Sequence, residues 1–189
     1  MQQLAKLKNI HAGKRAFIIG NGPSLKQTDL SRLRNEYTFG LNRIYLMFPD
    51  LGFHTTYFVT VNDLVIEQCK DDILALTIPK FLSWRTHGLF PSGKAPATFL
   101  YTTYDNPAFA RDVRHRVWES ATVTYVALQL AFHMGFQQVL LIGVDHSSFV
   151  PGKANTTIVS QGDDPNHFNP FYFGKGFRWQ LPDFETSEI

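Results

Sequence analysis

A single cysteine in 189 residues, Cys69, excludes an intrachain disulfide. Nothing beside it suggests an activated thiol, so it reads as buried filler in a reducing compartment. Charge of one sign is equally scarce: 18 Lys plus Arg stand against 16 Asp plus Glu. No basic stripe with interleaved aromatics appears, so nucleic acid is not an expected partner. Residues 1–14 hold no long apolar run, which argues against a signal peptide or a membrane span and for a cytoplasmic, bacterial-type protein. Zinc-ligand spacing is missing, as are a Gly-x-Ser-x-Gly elbow and a Cys–His signature, so neither a structural zinc nor hydrolase chemistry is expected. No repeat, low-complexity tract or linker divides the chain. What is present is an ordinary apolar fraction of 44% that includes 17 Phe, enough for the core of one domain over 1–189 with some aromatics left for a cleft.

Apolar runs bounded by glycine and turn residues predict the architecture. Ala16-Phe17-Ile18-Ile19 reads as a buried parallel strand, followed by a turn and a short helix in which Pro23 takes an early position. Further strands are expected near Thr38–Asn42, Thr56–Val61, Lys80–Trp84 and Thr98–Tyr101, with a Pro/Gly-rich loop over Gly88–Pro96 before the last. The clearest helix runs from about Ala121 to Met134, capped by Ser120 or Thr122 and stopped by Gly135; its apolar faces predict burial against the sheet. A buried strand from Gln138 to Gly143 follows and ends at Val144-Asp145. The rhythm implies a single Rossmann-like α/β domain, a mostly parallel sheet flanked by helices. Residues 147–180, rich in Gly, Asn, Asp, Pro and aromatics, predict a long lid loop. Pro182 to Glu188 reads as the first turns of a helix, as though the natural chain ran past Ile189.

The chemistry-bearing motifs sit at strand ends. Gly20-Asn21-Gly22-Pro23-Ser24 joins the first strand to the first helix, where glycines let a backbone approach a phosphate and main-chain N–H groups favour its charge. A tight structural turn is the competing reading. The dinucleotide fingerprint is incomplete, because Leu25 stands at the third glycine and Asn42 where an acid belongs. No Walker A loop occurs either. Asn42 and Asn62-Asp63 recur at the next strand ends, suited to reading a ribose or a base edge, or to terminating strands for local reasons. Asp145 could bind a metal, orient a hydroxyl or cap the next segment, and His146 beside it is a weaker candidate. In the lid, His167, Tyr172, Lys175 and Arg178 would suit an anionic ligand, with His167 as general base.

These residues resemble known families. Gly20-Asn21-Gly22-Pro23-Ser24-Leu25, Asn42 in Leu-Asn-Arg-Ile-Tyr, Asn62 after an aromatic-rich strand, and the helix leading into Ile-Gly-Val-Asp145 resemble the single-domain bacterial sialyltransferases that use CMP-sialic acid. The same elements resemble the broader 6-hydroxymethylpterin diphosphokinase MptE-like group, which includes flagellar motility accessory factors. Its Gly-Ser-Val-Ala helix start and Gly-x-Asp strand end correspond to Ala121-Thr122-Val123-Thr124 and Gly143-Val144-Asp145 here. The resemblance covers about residues 14–180.

It implies that Asn21, Ser24, Asn42 and Asn62 contact the nucleotide and its phosphate, and that Thr122 and Thr124 line the same cleft. The sialyltransferases carry a catalytic His in a Tyr-Ile-Gly-His segment. This chain has Tyr172-Phe173-Gly174-Lys175, which puts Lys175 in the base position, or His167 if the lid follows another path. The leading expectation is a transferase that passes sugar from a CMP-type donor to a hydroxyl acceptor in glycan or cell-surface polymer synthesis. One alternative is diphosphate transfer from ATP to a pterin-like alcohol, with Mg²⁺ held by Asp63 and Asp145. A non-catalytic nucleotide-binding module is the other. Nothing in the sequence argues against a homo-oligomer.

Overall fold

Each apolar run expected as a strand pairs in parallel with a neighbour. A computed structural model describes residues 2–91, 97–105, 108–145 and 151–187, so His146 and residues 92–96 of the expected loop lie outside the described residues. Helix α1 (Gln2–Lys6) precedes β1 (Arg15–Ile19). The chain then steps outward through β2 (Tyr37–Leu41), α2 (Phe48–Leu51), β3 (Tyr57–Thr60), α3 (Asp63–Gln68), α4 (Lys70–Ala75), β4 (Lys80–Ser83) and β5 (Ala97–Thr103) to a short edge strand, β6 (Arg116–Trp118). Helix α5 (Val123–His133) leads back to β7 (Gln138–Ile142), which pairs on the other side of β1. The order β6-β5-β4-β3-β2-β1-β7 makes a seven-stranded parallel sheet, and the chain is a Rossmann-like α/β domain.

Strand alternation divides the core into two layers. Ala16, Ile18, Phe39, Leu41 and Val59 face α5, where Val126, Ala127, Leu130 and Ala131 are buried. Ile19, Phe58 and Leu82 face the other way, onto Leu25, Leu30, Val65 and Ile66. Thr122, not Ser120, caps α5 by accepting the Thr124 N–H at 3.3 Å, and Gly135 stops it at φ +84°.

Two expectations of burial are corrected. Helix α5 leaves Phe132 49% exposed and instead buries Gln129, whose amide hydrogen-bonds the Ala110 N–H, the Trp118 N–H and the Trp118 carbonyl. Strand β7, apolar from Val139 to Ile142, lies at a sheet edge, with Leu140 and Leu141 42% and 48% exposed. Periodicity reports a strand's apolar character, not whether a neighbour covers it.

The expected bare loop is also corrected. It contains β8 (Thr157–Val159) antiparallel to β9 (Arg178–Gln180), and it buries Phe168, Tyr172, Phe173, Trp179 and Leu181 in the second core layer. Helix α6 (Phe184–Ser187) follows, as the residues from Pro182 implied.

At the carboxyl ends of the outer strands Arg85 acts as a buckle. Its guanidinium donates to Asp63 at 2.9 Å, Glu119 at 2.8 Å, the Thr102 hydroxyl at 2.8 Å and the Val61 carbonyl at 3.2 Å. The Glu119 side chain is only 5% exposed, so removing the cation strands a buried carboxylate. Arg85→Ala is expected to destabilise the fold by about 3 kcal/mol, the low end for a broken buried pair because Arg85 itself is partly exposed. In contrast, Arg15→Ala, which opens only the exposed Arg15–Glu36 pair, should barely move the urea midpoint. Equal midpoints for the two variants would refute the buckle.

Candidate functional site

Strand order reverses at β1, since β2 and β7 lie on its two sides, and the chain beyond their carboxyl ends diverges there. A cleft of about 260 Å³ opens at this point. It gathers Gly20, Asn21, Gly22, Asn42, Thr122, Thr124, Asp145, His167 and Tyr172 from the expected set. A second hollow, about 430 Å³, lies at the β5–β6 edge beside Trp84, Tyr101 and Arg116, and contains none of them.

The glycine turn is not the open row of amides that the sequence suggested. Gly20 N–H donates to the Ile142 carbonyl at 2.8 Å and Gly22 N–H to the Gly143 carbonyl at 2.9 Å, prolonging the β1–β7 ladder. Pro23, the first residue of a 3-10 turn over Pro23–Gln27, has no N–H. Ser24 N–H donates to Asp145 Oδ2 at 2.8 Å, and its hydroxyl to Asp145 Oδ1. A side chain at Gly22 would place Cβ 2.3 Å from Asp145 Oδ2, and one at Gly20 would meet the Gly143 carbonyl at 2.4 Å. Both glycines are thus required by the protein's own groups.

Asn21 donates through Nδ2 to the Leu41 carbonyl at 2.9 Å, while its buried Oδ1 has no hydrogen-bond partner. Asn42 takes the left-handed conformation at φ +47°, which asparagine tolerates, and accepts from the Thr60 hydroxyl at 2.9 Å. Its amide also hydrogen-bonds the Tyr172 hydroxyl, whose titration burial pushes well above the usual tyrosine value. The capped N-terminus of α5 forms the opposite wall through Thr122, Val123 and Thr124.

The expected base acquires a partner that sequence reasoning missed. His167 Nδ1 lies 2.6 Å from Asp164 Oδ2, and the imidazole stacks on Tyr172 at 3.9 Å between centroids. The Asp164 side chain is 3% exposed and also accepts from the N–H groups of Asn166 and Phe173. Burial alone would push its carboxyl up, but His167 and these N–H groups outweigh burial and hold it below the ordinary carboxylate value. With Nδ1 engaged, Nε2 is the ring nitrogen left for proton transfer. Arg43 was missed as well. It donates to the carbonyls of Phe171, at 3.1 Å, and Tyr172, and lies over the rings of Tyr172 and Phe177, which fastens the C-terminal segment to the end of β2. The acid three residues before His167 was the available signal for Asp164; Arg43 offered none.

The remaining expected residues are elsewhere. Asn62 caps α3 by accepting the Val65 N–H at 3.1 Å, and Asp63 is engaged by Arg85. Arg178 reaches outward to Glu67, and the exposed Lys175 does not line the cleft, so neither supplies its charge. The pair expected to hold Mg²⁺ is not assembled: Asp63 serves the buckle, Asp145 serves Ser24, and no grouping of three or more His, Cys, Asp or Glu suited to a metal occurs among the described residues.

A Rossmann-like domain with a cleft at its switch point, where an imidazole is hydrogen-bonded to a buried carboxylate, is the class of protein that the fold and site define. The chain is a member of the 6-hydroxymethylpterin diphosphokinase MptE-like family, whose model matches residues 1–149. The resemblance read from the strand-end motifs is thereby borne out. Among solved structures it is similar to the MAf glycosyltransferase from Magnetospirillum magneticum AMB-1, with 16% identity and a TM-score of 0.53. That likeness covers 97% of this chain but 32% of the other, so the chain spans about a third of that protein's length, and at this identity it concerns the fold. No curated protein matches the chain. Among the described residues no helix is long and apolar enough to cross a membrane.

Because the folded-state value of Asp164 lies below the ordinary one, its contribution to stability is present above about pH 4 and is lost as pH falls through the depressed value. Chemical denaturation between pH 2 and 6 should show wild type losing stability on acidification more steeply than Asp164→Asn. Parallel acid limbs would contradict the depressed carboxyl.

Proposed function

We propose that the chain is a transferase domain that moves a group from a nucleotide-type donor to a hydroxyl acceptor, with a CMP-type sugar as donor and glycan or cell-surface polymer synthesis as its setting. The observation that carries the reading is His167, hydrogen-bonded to the buried Asp164 and lining the cleft that also holds the glycine turn and the start of α5.

The chemistry follows from the side chains. Asp164 fixes the imidazole with Nε2 available, and Nε2 takes the proton of the acceptor hydroxyl. The acceptor oxygen then bonds to the transferred carbon of the donor. The bond from that carbon to the donor's phosphate oxygen breaks, and its electron pair leaves with the nucleotide. Charge growing on the leaving phosphate is favoured at the N-terminus of α5, whose dipole and first N–H, that of Val123, lie at the Thr122–Thr124 wall. Among the described residues no Lys or Arg lines the cleft, so stabilisation falls to main-chain dipoles.

The family description favours a second reading, diphosphate transfer from ATP to a pterin-like alcohol. The same base would serve, but of the expected Mg²⁺ carboxylates Asp63 is engaged by Arg85 and only Asp145, held by Ser24, lines the cleft. Thermal-shift measurements with CMP, CDP, ATP and pterins, each with and without Mg²⁺, separate the readings. Stabilisation by cytidine nucleotides without metal is the expected result, and stabilisation by ATP only with Mg²⁺ would favour the second reading. A protein indifferent to every nucleotide would sink both. His167→Asn is expected to leave nucleotide affinity nearly unchanged while lowering transfer from CMP-sialic acid about 100- to 10,000-fold. Transfer undiminished in that variant would remove His167 as base and leave at most a nucleotide-binding module.

A further inference from the structure

The residues at the glycine turn have the wrong polarity for the phosphate that a glycine-rich turn ordinarily suggests. Asp145 presents a carboxylate there, anchored through both oxygens on Ser24, and like charge opposes a phosphate set beside it. The second acceptor is Asn21 Oδ1, buried, without a partner, and on a residue lining the same end of the cleft. A buried acceptor left unmatched is costly unless a ligand supplies its donor. Of the turn's main-chain donors, Gly20 N–H, Gly22 N–H and Ser24 N–H are engaged by Ile142, Gly143 and Asp145 and Pro23 has none, leaving only the Asn21 N–H. Acceptors thus outweigh donors at this end of the cleft, which suits a ligand that brings hydrogen-bond donors.

We infer that Asp145 and Asn21 form a ribose subsite, in which the Asp145 carboxylate accepts the vicinal 2′- and 3′-hydroxyls of a ribonucleoside. Each carboxylate oxygen accepts one bond from Ser24 and keeps lone-pair capacity for a hydroxyl. A ribose offers two O–H donors on adjacent carbons; a phosphate dianion offers none. Ser24 fixes the carboxylate in advance, and Gly22 gives it room, since any Cβ there would occupy its place. The donor thus lies with its ribose at the β1–β7 end and its phosphate away from the glycine turn. This orientation rests on the proposed nucleotide-donor reading and specifies which residue selects the nucleoside.

The test compares ribonucleoside 5′-monophosphates (CMP, UMP, AMP and GMP) with their 2′,3′-dideoxy forms by calorimetry on the intact protein. The ribose form that binds should lose about ten- to a hundredfold in affinity when both hydroxyls are removed. Asp145→Asn should shrink that preference to a few-fold, and Ser24→Ala, which leaves the carboxylate in place but loosens it, should retain most of it. Removing the carboxylate in Asp145→Ala should not strengthen competition by inorganic phosphate or pyrophosphate, whose seat is the N-terminus of α5. Equal affinity for ribose and dideoxy forms would overturn the subsite while leaving nucleotide binding intact. Competition by inorganic phosphate, strengthened in Asp145→Ala, would overturn it by showing that Asp145 only stands in for a phosphate. If no nucleotide binds at all, the donor reading fails and this subsite fails with it.

Discussion

The site depends on one carboxylate held by one serine. Asp145 leaves the end of β7, crosses to Ser24 just beyond β1, and ties together the two strands whose divergence opens the cleft. Several otherwise separate features follow from that contact. Gly22 is glycine because the carboxylate lies where a side chain would stand, and Gly20 because the Gly143 carbonyl passes as closely. Ser24 holds the carboxylate as a double donor, through its N–H and its hydroxyl. The turn is consequently rich in acceptors, which suits a ligand that brings hydroxyl donors better than one that brings a phosphate.

The opposite side of the cleft follows different physics. The C-terminal segment is fastened rather than loose. Phe168 N–H donates to the Asn21 carbonyl at 2.8 Å, Arg43 grips the carbonyls of Phe171 and Tyr172, and the rings of Phe168, Tyr172, Phe173 and Trp179 pack into the second core layer. This packing carries the Asp164–His167 pair to the cleft and backs the imidazole with the Tyr172 ring. The imidazole proposed as base is thus held by the packing of the C-terminal segment, to which Arg43 contributes through the Phe171 and Tyr172 carbonyls.

Much of the fold was legible because a parallel sheet buried on both faces writes long apolar runs between glycines and turn residues. The runs at Ala16–Ile19, Thr56–Val61 and Gln138–Gly143 gave strands within a residue or two of those observed. Strand β6 has only three residues, and β8 and β9 are equally short, too brief for periodicity to register. Which strand would be an edge was also illegible, since β7 is as apolar as β1. The site was legible in part: strand-end polar residues do converge, but position along a strand cannot distinguish Asn42, which faces the cleft, from Asn62, which caps a helix. Charge misled most. Lys175 and Arg178 looked suited to an anion, yet the chain turns them outward, and Asp164, which hydrogen-bonds the His167 ring, went unread.

The most direct measurement is backbone amide NMR of the protein titrated with CMP, a titration whose shift pattern reports where the nucleotide sits. The account predicts perturbations concentrated at residues 20–22, 122–124, 143–145 and 166–173, segments that wall the cleft. Shifts centred instead on Trp84, Tyr101 and Arg116, at the hollow on the far edge of the sheet, would contradict it.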